Sequence, residues 1–293
     1  MARFGTVLTA MVTPFDDDLR LDLDAAATVA RWLVDHGNDG LVVAGTTGEG
    51  PTLSDGEKLD LFRAVRDAVD VPVVAGTGTY DTGHSVHLTK EAVRIGVDGI
   101  LAVTPYYNKP SQANLVHHCN AIAAAAGDTP VMLYDVPHRT SRRLDAATII
   151  ELAQTPNIVA MKDAAANPGE SVRWRAETPE EFEMYSGDDV HTLPFLAVGA
   201  VGVVSVSAHW AGVQIGEMIA AFQKGDLDLA RRLNEKLQPT YAFNSSDEAP
   251  SPAPSKAMLR TLGLPVGRPR PPMGPEEPAD LEDRARKVYA QLG

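Results

Sequence analysis

The feature that most constrains the fold is a regular alternation of short apolar runs with longer amphipathic stretches. Several runs are continuously apolar rather than alternating, which is typical of parallel strands covered on both faces. Eight runs have the length and composition of strands, and they occupy residues 6–12, 40–46, 71–78, 99–105, 130–137, 157–163, 182–188 and 201–207. Eight strands that alternate with helices predict an α/β fold, a (β/α)8 TIM barrel.

A short repeat at the start of three strands supports this fold. The segments GNDGL, GVDGI and GAVGV begin at Gly37, Gly96 and Gly199. The first glycine of each segment suits a left-handed residue at a helix end, and the second suits a tight turn into the strand. A doubly wound sheet is the alternative, but no GxGxxG pattern follows the first strand, and the GTG of residues 76–78 is too short to count as one. The repeat therefore favours the barrel.

The chain divides into two parts. Its 293 residues are 44% hydrophobic, which is enough apolar material for a sizeable core. The eighth strand–helix unit is complete near Gly225, so we predict a barrel domain over residues 1–225 and a C-terminal helical extension over residues 226–293. A Pro/Ser-rich run at residues 245–255 predicts a surface loop, either ordered or mobile.

Composition and charge exclude several classes of protein. The net charge of −13 argues against a nucleic-acid partner, which needs a basic face. No apolar segment is long enough to span a membrane, and the first residues lack a secretory signal, so we expect a cytoplasmic protein. The single cysteine, Cys119, excludes an internal disulfide. His117 and His118 precede it, but adjacent helical residues point in different directions, so we predict no metal site.

Lys162 ends the apolar run NIVAMKD, which is the sixth predicted strand. One interpretation is a solvated lysine, or one paired with Asp163. The other is a reactive amine, because side chains at the carboxyl ends of barrel strands face the active-site mouth. Apolar surroundings favour the neutral, nucleophilic form of an amine, which attacks a ketone to form a Schiff base. Position alone leaves these two interpretations about equal.

Other strand ends carry groups that Schiff-base chemistry needs. Tyr134 on the fifth strand can move protons during imine formation, or it can be an ordinary buried tyrosine. Thr46 and Thr47 follow the second strand, where hydroxyl and backbone N–H groups can hold a carboxylate, or where the segment is simply a turn. Arg139 can bind a second carboxylate through two hydrogen bonds, or it is a solvated loop residue.

Six segments together resemble the pyruvate-dependent Schiff-base aldolases and synthases of the N-acetylneuraminate lyase superfamily. They occur in the order and near the spacing of that family and span most of the first 210 residues: GTTGEGPTL, AGTG, VTPYYNKPSQ, LYDVPHRT, NIVAMKDA and SGDD. The resemblance implies a (β/α)8 barrel with a C-terminal helical extension. TPYYNKPSQ and the arginine of VPHRT resemble the branch that condenses pyruvate with L-aspartate 4-semialdehyde in lysine and diaminopimelate synthesis.

The resemblance implies roles on the pyruvate side of the site. Lys162 would form the Schiff base, and Tyr134 would transfer protons. Thr46 would relay protons to Tyr107, which in this family reaches in from a neighbouring subunit. The segment of Thr46 and Thr47 would hold the pyruvate carboxylate.

The resemblance also implies the second half of the reaction and the assembly. Arg139 would bind the carboxylate of the semialdehyde, and Gly187 and Val204 would contribute to substrate binding. No metal or organic cofactor is required, because the substrate is held covalently. The family is usually a homotetramer built from tight dimers.

Two departures from the family pattern leave alternatives open. Asp135 replaces a usual asparagine and Ser141 a common glycine, and both are expected beside the second-substrate site. The alternative enzyme is a pyruvate-dependent aldolase of another branch, a sialate or 2-keto-3-deoxy-sugar-acid lyase, although the sialate branch usually lacks the arginine. A barrel that binds a keto acid without turnover is the third interpretation.

Sensitivity to lysine is also predicted from the resemblance. Members that lysine inhibits often place histidines, an asparagine and a glutamate around a pocket at the dimer interface. The matching positions here hold Asp55, Lys58, Tyr80 and His84. A lysine side chain and the loss of the acidic group disfavour a dibasic effector, so we expect weak or absent inhibition.

Overall fold

A closed barrel of parallel strands forms the centre of the molecule, in a computed structural model that describes residues 2–244 and 248–292. The strands are β1 Val7–Ala10, β2 Gly40–Val43, β3 Val73–Gly76, β4 Gly99–Val103, β5 Val131–Asp135, β6 Ile158–Asp163, β7 Glu183–Ser186 and β8 Gly202–Ser205. Each strand pairs with the next in the chain, and β8 pairs with β1. The predicted (β/α)8 barrel is therefore confirmed. Most strands are shorter than their apolar runs, because those runs continue into buried loops at the strand ends.

Helices surround the barrel and continue beyond it. Around the barrel lie α1 Leu23–Asp35, α2 Asp55–Ala68, α3 Thr82–Ile95, α4 Gln112–Ala126, α5 Pro137–Thr140, α6 Ala146–Leu152, α7 Pro168–Glu177, α8 Thr192–Ala197 and α9 Ala208–Gln223. The C-terminal part contains α10 Leu227–Phe243, α11 Ala253–Thr261 and α12 Leu281–Ala290, and α10 packs on α9. The division at Gly225 stays a prediction. Of the predicted 245–255 loop, residues 245–247 lie outside the described residues, and α11 begins within its last part.

No helix within the described ranges has both the length and the apolar character needed to cross a bilayer.

Glycines shape the lower end of the barrel, where strands begin. Gly37, Gly96 and Gly199 have φ values of 87°, 86° and 100°, as the repeat predicted. The second glycine of the repeat is required by a close contact and not by the predicted turn. A Cβ on Gly202 would lie 2.1 Å from the carbonyl oxygen of Thr6, so this glycine admits the N-terminal segment against the strand start.

The two predicted helix starts differ in how they are capped. Ser54 and Glu57 form the predicted capping box at the start of α2: the Glu57 carboxylate accepts the Ser54 N–H at 2.8 Å, and the Ser54 hydroxyl accepts the Glu57 N–H at 3.3 Å. Asp145 precedes α6 as predicted, but its side chain caps nothing. Its backbone N–H instead donates to Gln112 Oε1 at 3.2 Å. The box fixes the loop between β2 and α2, which carries two predicted site residues.

Candidate active site

The Lys162 side chain lies inside the barrel and is only 5% exposed. In the sheet it is level with Tyr134 on β5 and Tyr185 on β7. Its Nζ atom lies 4.1 Å from the centre of the Tyr134 ring. No ion pair or hydrogen bond of this amine is found among the described residues. The amine is therefore buried against aromatic surface rather than neutralised by a carboxylate.

Asp163 does not pair with Lys162. Successive side chains of a strand point to opposite faces, so Asp163 lies on the helix side of β6. Its carboxylate accepts hydrogen bonds from the Ser171 hydroxyl at 2.5 Å and from the Ala165 N–H at 2.9 Å. The interpretation of Lys162 as the ion-pair partner of its neighbour is therefore wrong, and its role as a reactive amine stays a prediction.

A cavity of about 370 Å³ opens above Lys162 at the carboxyl ends of the strands. Six of the predicted site residues line it together: Thr46, Thr47, Tyr134, Arg139, Lys162 and Gly187. The cavity thus combines an amine, a phenol, hydroxyls and a guanidinium group. These are the groups needed to form an imine from a keto acid and to hold a second carboxylate.

Two predicted site residues lie away from this cavity. Val204 is 1% exposed and packs with the apolar residues of the barrel interior, and Val206 lines the cavity instead. Tyr107 is 92% exposed and has a φ of 72°, in the left-handed region. Within its own chain, Tyr107 does not line this cavity or the neighbouring one. The roles of both residues stay predictions.

A second cavity, of about 250 Å³, adjoins the first and shares Thr46, Tyr134 and Arg139 with it. It extends to Lys58 and Tyr106. Burial lowers the pKa of Lys58 and raises the pKa of the Tyr106 hydroxyl. Thr46 and Tyr134 therefore line both cavities.

Of the four positions predicted to govern lysine sensitivity, Lys58 lines the second cavity, and Tyr80 contacts its lining residue Tyr106. His84 Nε2 lies 2.8 Å from Asp55 Oδ1, and the Tyr80 ring meets the Tyr106 ring edge-on at 5.3 Å between centres. The prediction of weak inhibition remains a prediction.

The two departures from the family pattern do not contact the substrate cavity as expected. Asp135 is 2% exposed, lines neither cavity, and lies behind β5 on the same face as Asp163. Burial, and then the charge of Asp163, raises the pKa of Asp135 to about 7, while the N–H of Leu144 opposes the change. Ser141 is exposed and ends α5 with a φ of 58°, which explains why glycine suits this position. Their placement beside the second substrate was therefore wrong.

The buried carboxyl of Asp135 predicts a pH-dependent effect on stability. Its pKa in the folded protein lies above the value of about 3.9 in an unfolded chain, so protonation favours folding, and this stabilisation is lost as the pH rises through about 7. Asp135→Asn removes the ionisation. We expect a melting temperature several degrees higher at about pH 8, equivalent to roughly 2 kcal/mol, and a much smaller gain at about pH 5.

Thermal unfolding followed by circular dichroism at both pH values measures this effect, with the exposed Asp128→Asn as the control. An equal gain at both pH values would show that ionisation of Asp135 is not the cause.

Some residues that line the cavity do not lie at strand ends, so the sequence pattern of the barrel did not identify them. Asn244 and Ser251 belong to the C-terminal part, so no rule about barrel strands identifies them. Asn244 donates to Ser207 Oγ at 3.1 Å, which holds this part against the loop after β8. Asp188 and His138 lie in two of the segments that carry the family resemblance, SGDD and LYDVPHRT. Both line the cavity. Burial, and then the charge of Arg139, lowers the pKa of His138, while the charge of Asp188 opposes the change.

The two histidines before Cys119 have different environments. His117 is exposed, whereas His118 is buried and lies 2.9 Å from Thr82 Oγ1. Burial lowers the pKa of His118 to about 4 and raises the pKa of Cys119 to about 12. Among the described residues, no group of three or more His, Cys, Asp or Glu side chains is placed to hold a metal ion.

A closed parallel barrel with a buried lysine and a buried tyrosine on neighbouring strands is the arrangement of a class I aldolase-type lyase, and this chain is an enzyme of that class. Comparison with known families then narrows the class. The sequence model described as the dihydrodipicolinate synthetase family matches residues 3–291. The chain belongs to this family.

Relatives match over nearly the whole chain. The 4-hydroxy-tetrahydrodipicolinate synthase of Acidothermus cellulolyticus is 51% identical, over 100% of this chain and 94% of its own. Crystal structures of dihydrodipicolinate synthase are also similar. That of Bacillus anthracis has a TM-score of 0.94 and 43% identity, over 99% of each chain. That of Cyanidioschyzon merolae, with lysine bound, has a TM-score of 0.95 and 40% identity, over 100% of this chain and 99% of that one.

Proposed function

We propose that this enzyme condenses pyruvate with L-aspartate 4-semialdehyde to give 4-hydroxy-tetrahydrodipicolinate, a step in the synthesis of lysine and diaminopimelate. The observation that carries the proposal is the single cavity that brings Lys162, Tyr134 and Arg139 together. The names of the relatives support the same reaction.

The pyruvate half of the reaction uses the barrel residues. The Lys162 amine attacks the ketone carbon, and loss of water from the carbinolamine gives an iminium ion; no other cofactor is needed. The iminium withdraws electrons, so a methyl proton is lost and an enamine forms. Tyr134 supplies and accepts protons in these steps, because its ring already lies beside the Lys162 amine. Thr46 and Thr47 provide hydroxyl and N–H groups for the carboxylate.

The semialdehyde half uses the outer part of the same cavity. The enamine carbon attacks the aldehyde and forms the new carbon–carbon bond. The amino group of the second substrate then attacks the imine carbon, closes the ring and releases Lys162. Arg139 binds the carboxylate of this substrate, and Asp188, in the same cavity, suits its ammonium group.

Tyr107 acts in a neighbouring subunit. Its side chain is almost fully exposed and its backbone conformation is strained for a non-glycine residue, so the surrounding chain holds it outward. The second cavity gives access to Thr46 and Tyr134 from the side. A tyrosine inserted there completes a proton relay, which is why we include a homotetramer of tight dimers in the proposal. A cytoplasmic location, suited to a biosynthetic enzyme, is also part of it.

The choice of aldehyde is tested with Arg139→Ala. We expect the wild type to turn over aspartate semialdehyde and not N-acetylmannosamine, and the variant to lose about 100-fold in kcat/KM for the semialdehyde, since a charged partner of the carboxylate is removed. Steady-state assays with both aldehydes measure this. Turnover of the sugar by the wild type favours the sialate-lyase alternative, and an unchanged variant contradicts the role of Arg139.

Inhibition by lysine is expected to be weak or absent, because Lys58 places a cationic side chain in the second cavity. A coupled assay with millimolar lysine measures it. A strong loss of turnover would overturn this prediction without touching the proposed reaction.

A further inference from the structure

A buried ion pair connects the C-terminal extension to the loop that carries Thr46 and Thr47. The Lys256 amine on α11 lies 2.7 Å from Glu49 Oε1, and the two side chains are 0% and 1% exposed. Glu49 follows Thr46 by three residues in the chain. Neither charge of this pair belongs to the chemistry described above.

The loop between β2 and α2 has an unusual backbone. Ala44 and Glu49 both have a φ of 54°, in the left-handed region that non-glycine residues rarely adopt. Such conformations persist only where the surrounding structure enforces them. The Glu49 N–H donates to the Thr46 carbonyl at 3.0 Å, so the position of Thr46 is tied directly to that of Glu49.

Among the described residues, the two partners of the Glu49 carboxylate, Lys256 and Arg270, both belong to the extension. Besides the Lys256 amine, the backbone N–H of Arg270 donates to Glu49 Oε2 at 2.7 Å. The Lys256 amine also donates to the carbonyl of Arg268 at 3.2 Å and lies 4.1 Å from the centre of the Phe15 ring. Burial lowers the pKa of Lys256 to about 8 while Glu49 opposes that change, so the amine is largely charged at neutral pH.

Arg270 fixes the far end of the same loop. Its guanidinium group contacts the Glu57 carboxylate at 2.6 Å and donates to the Thr52 carbonyl at 3.0 Å. The hydrogen bond from Arg270 is the largest cause that lowers the pKa of Glu57 to about 2. The extension thus holds the loop at Glu49 and Thr52, and the first turn of α2 at Glu57.

Stability alone does not account for a buried pair of this kind. Desolvation of two charges largely cancels their attraction, and well-packed apolar residues often serve stability equally well or better. What the pair adds is a fixed orientation, since the Lys256 ammonium holds one oxygen of the Glu49 carboxylate and the Arg270 N–H donates to the other.

We propose that Lys256 is a positioning residue for the active site: through Glu49 it holds Thr46 and Thr47 where they serve pyruvate and the proton relay. The proposal rests on the proposed function. It also gives the extension a part in the chemistry although none of its residues touches the imine carbon.

The test compares Lys256→Met and Glu49→Gln with Glu277→Gln as the matched control. Glu277 is also a buried carboxylate of the extension, 4% exposed, but it binds Arg260 and Arg268 and does not contact the loop. We expect the first two variants to lose about tenfold or more in kcat/KM for pyruvate, while KM for the semialdehyde stays within about twofold. The control should lose thermal stability to a similar extent and keep its kinetic constants.

A double-mutant cycle separates positioning from general destabilisation. In a Thr46→Val background, adding Lys256→Met should cost clearly less activity than it does in the wild type, because one of the two side chains that it positions is already gone. Multiplicative losses, or equal losses in Glu277→Gln, overturn the proposal. Should Lys256→Met fail to fold, Glu49→Gln takes its place in the cycle. An inactive wild type contradicts the proposed function instead, so the two failures are distinguishable.

Discussion

Lys162→Met is expected to lower turnover by at least about 10³-fold, because the variant has no amine with which to form the Schiff base. Methionine fills nearly the same volume in the barrel interior, so the fold should survive. A coupled assay of pyruvate and aspartate semialdehyde measures the loss. The exposed Lys90→Met is the control and should turn over like the wild type.

Borohydride trapping tests directly whether Lys162 forms a Schiff base with pyruvate, because it reduces the imine to a stable amine. Wild-type enzyme reduced in the presence of pyruvate should gain the mass of one reduced pyruvyl group, and peptide mapping should place it on Lys162. Lys162→Met should gain nothing. An adduct without turnover of the semialdehyde would favour a barrel that binds a keto acid as a sensor. An adduct on another lysine would contradict the assignment of the nucleophile.

Tyr134→Phe is expected to lower kcat by about 100-fold or more, with a much smaller change in KM for pyruvate. The ring is retained, so the surface that lies 4.1 Å from the Lys162 amine remains. Only the proton-transferring hydroxyl is lost, and imine formation slows without loss of the binding site. Stopped-flow measurement of Schiff-base formation tests this directly.

Tyr185→Phe is the matched control for that variant. Tyr185 lies on the other side of Lys162 in the sheet, but its hydroxyl donates to Glu183 Oε2 at 3.0 Å, away from the cavity. We expect lower stability and a kcat within about threefold of the wild type. Equal losses of kcat in both variants would mean that Tyr134 acts by packing and not through its hydroxyl.

Much of the fold and part of the site could be predicted because the signals are local. Apolar runs mark strands, three of them preceded by a glycine repeat, and a lysine at the end of such a run lies at the mouth of a barrel by topology alone. Lys162, Tyr134 and Thr46 were found in this way, since each follows or ends a strand. The direction of the Asp163 side chain is also a local property. Successive side chains along a strand point to opposite faces, so Asp163 points away from Lys162.

The rest could not be predicted, because it depends on contacts between distant parts of the chain. Lys256 meets Glu49 across 207 positions of sequence, and nothing local to either residue indicates a buried pair. Asn244 and Ser251 reach the cavity only because the extension folds back over the barrel. Asp135 was misplaced for a related reason: its position in the sequence was close to the site, but its side chain faces the opposite side of the strand.

The cavity wall is encoded in two separate stretches of the gene. The groups proposed for catalysis belong to barrel strands and their loops, whereas Asn244, Pro250 and Ser251 line the cavity from the C-terminal part. Substitutions at these three positions can therefore change which aldehyde fits the cavity, while Lys162 and Tyr134, the proposed nucleophile and proton-transfer residue, stay unchanged. Directed evolution towards longer aldehydes has its natural starting library at those three positions.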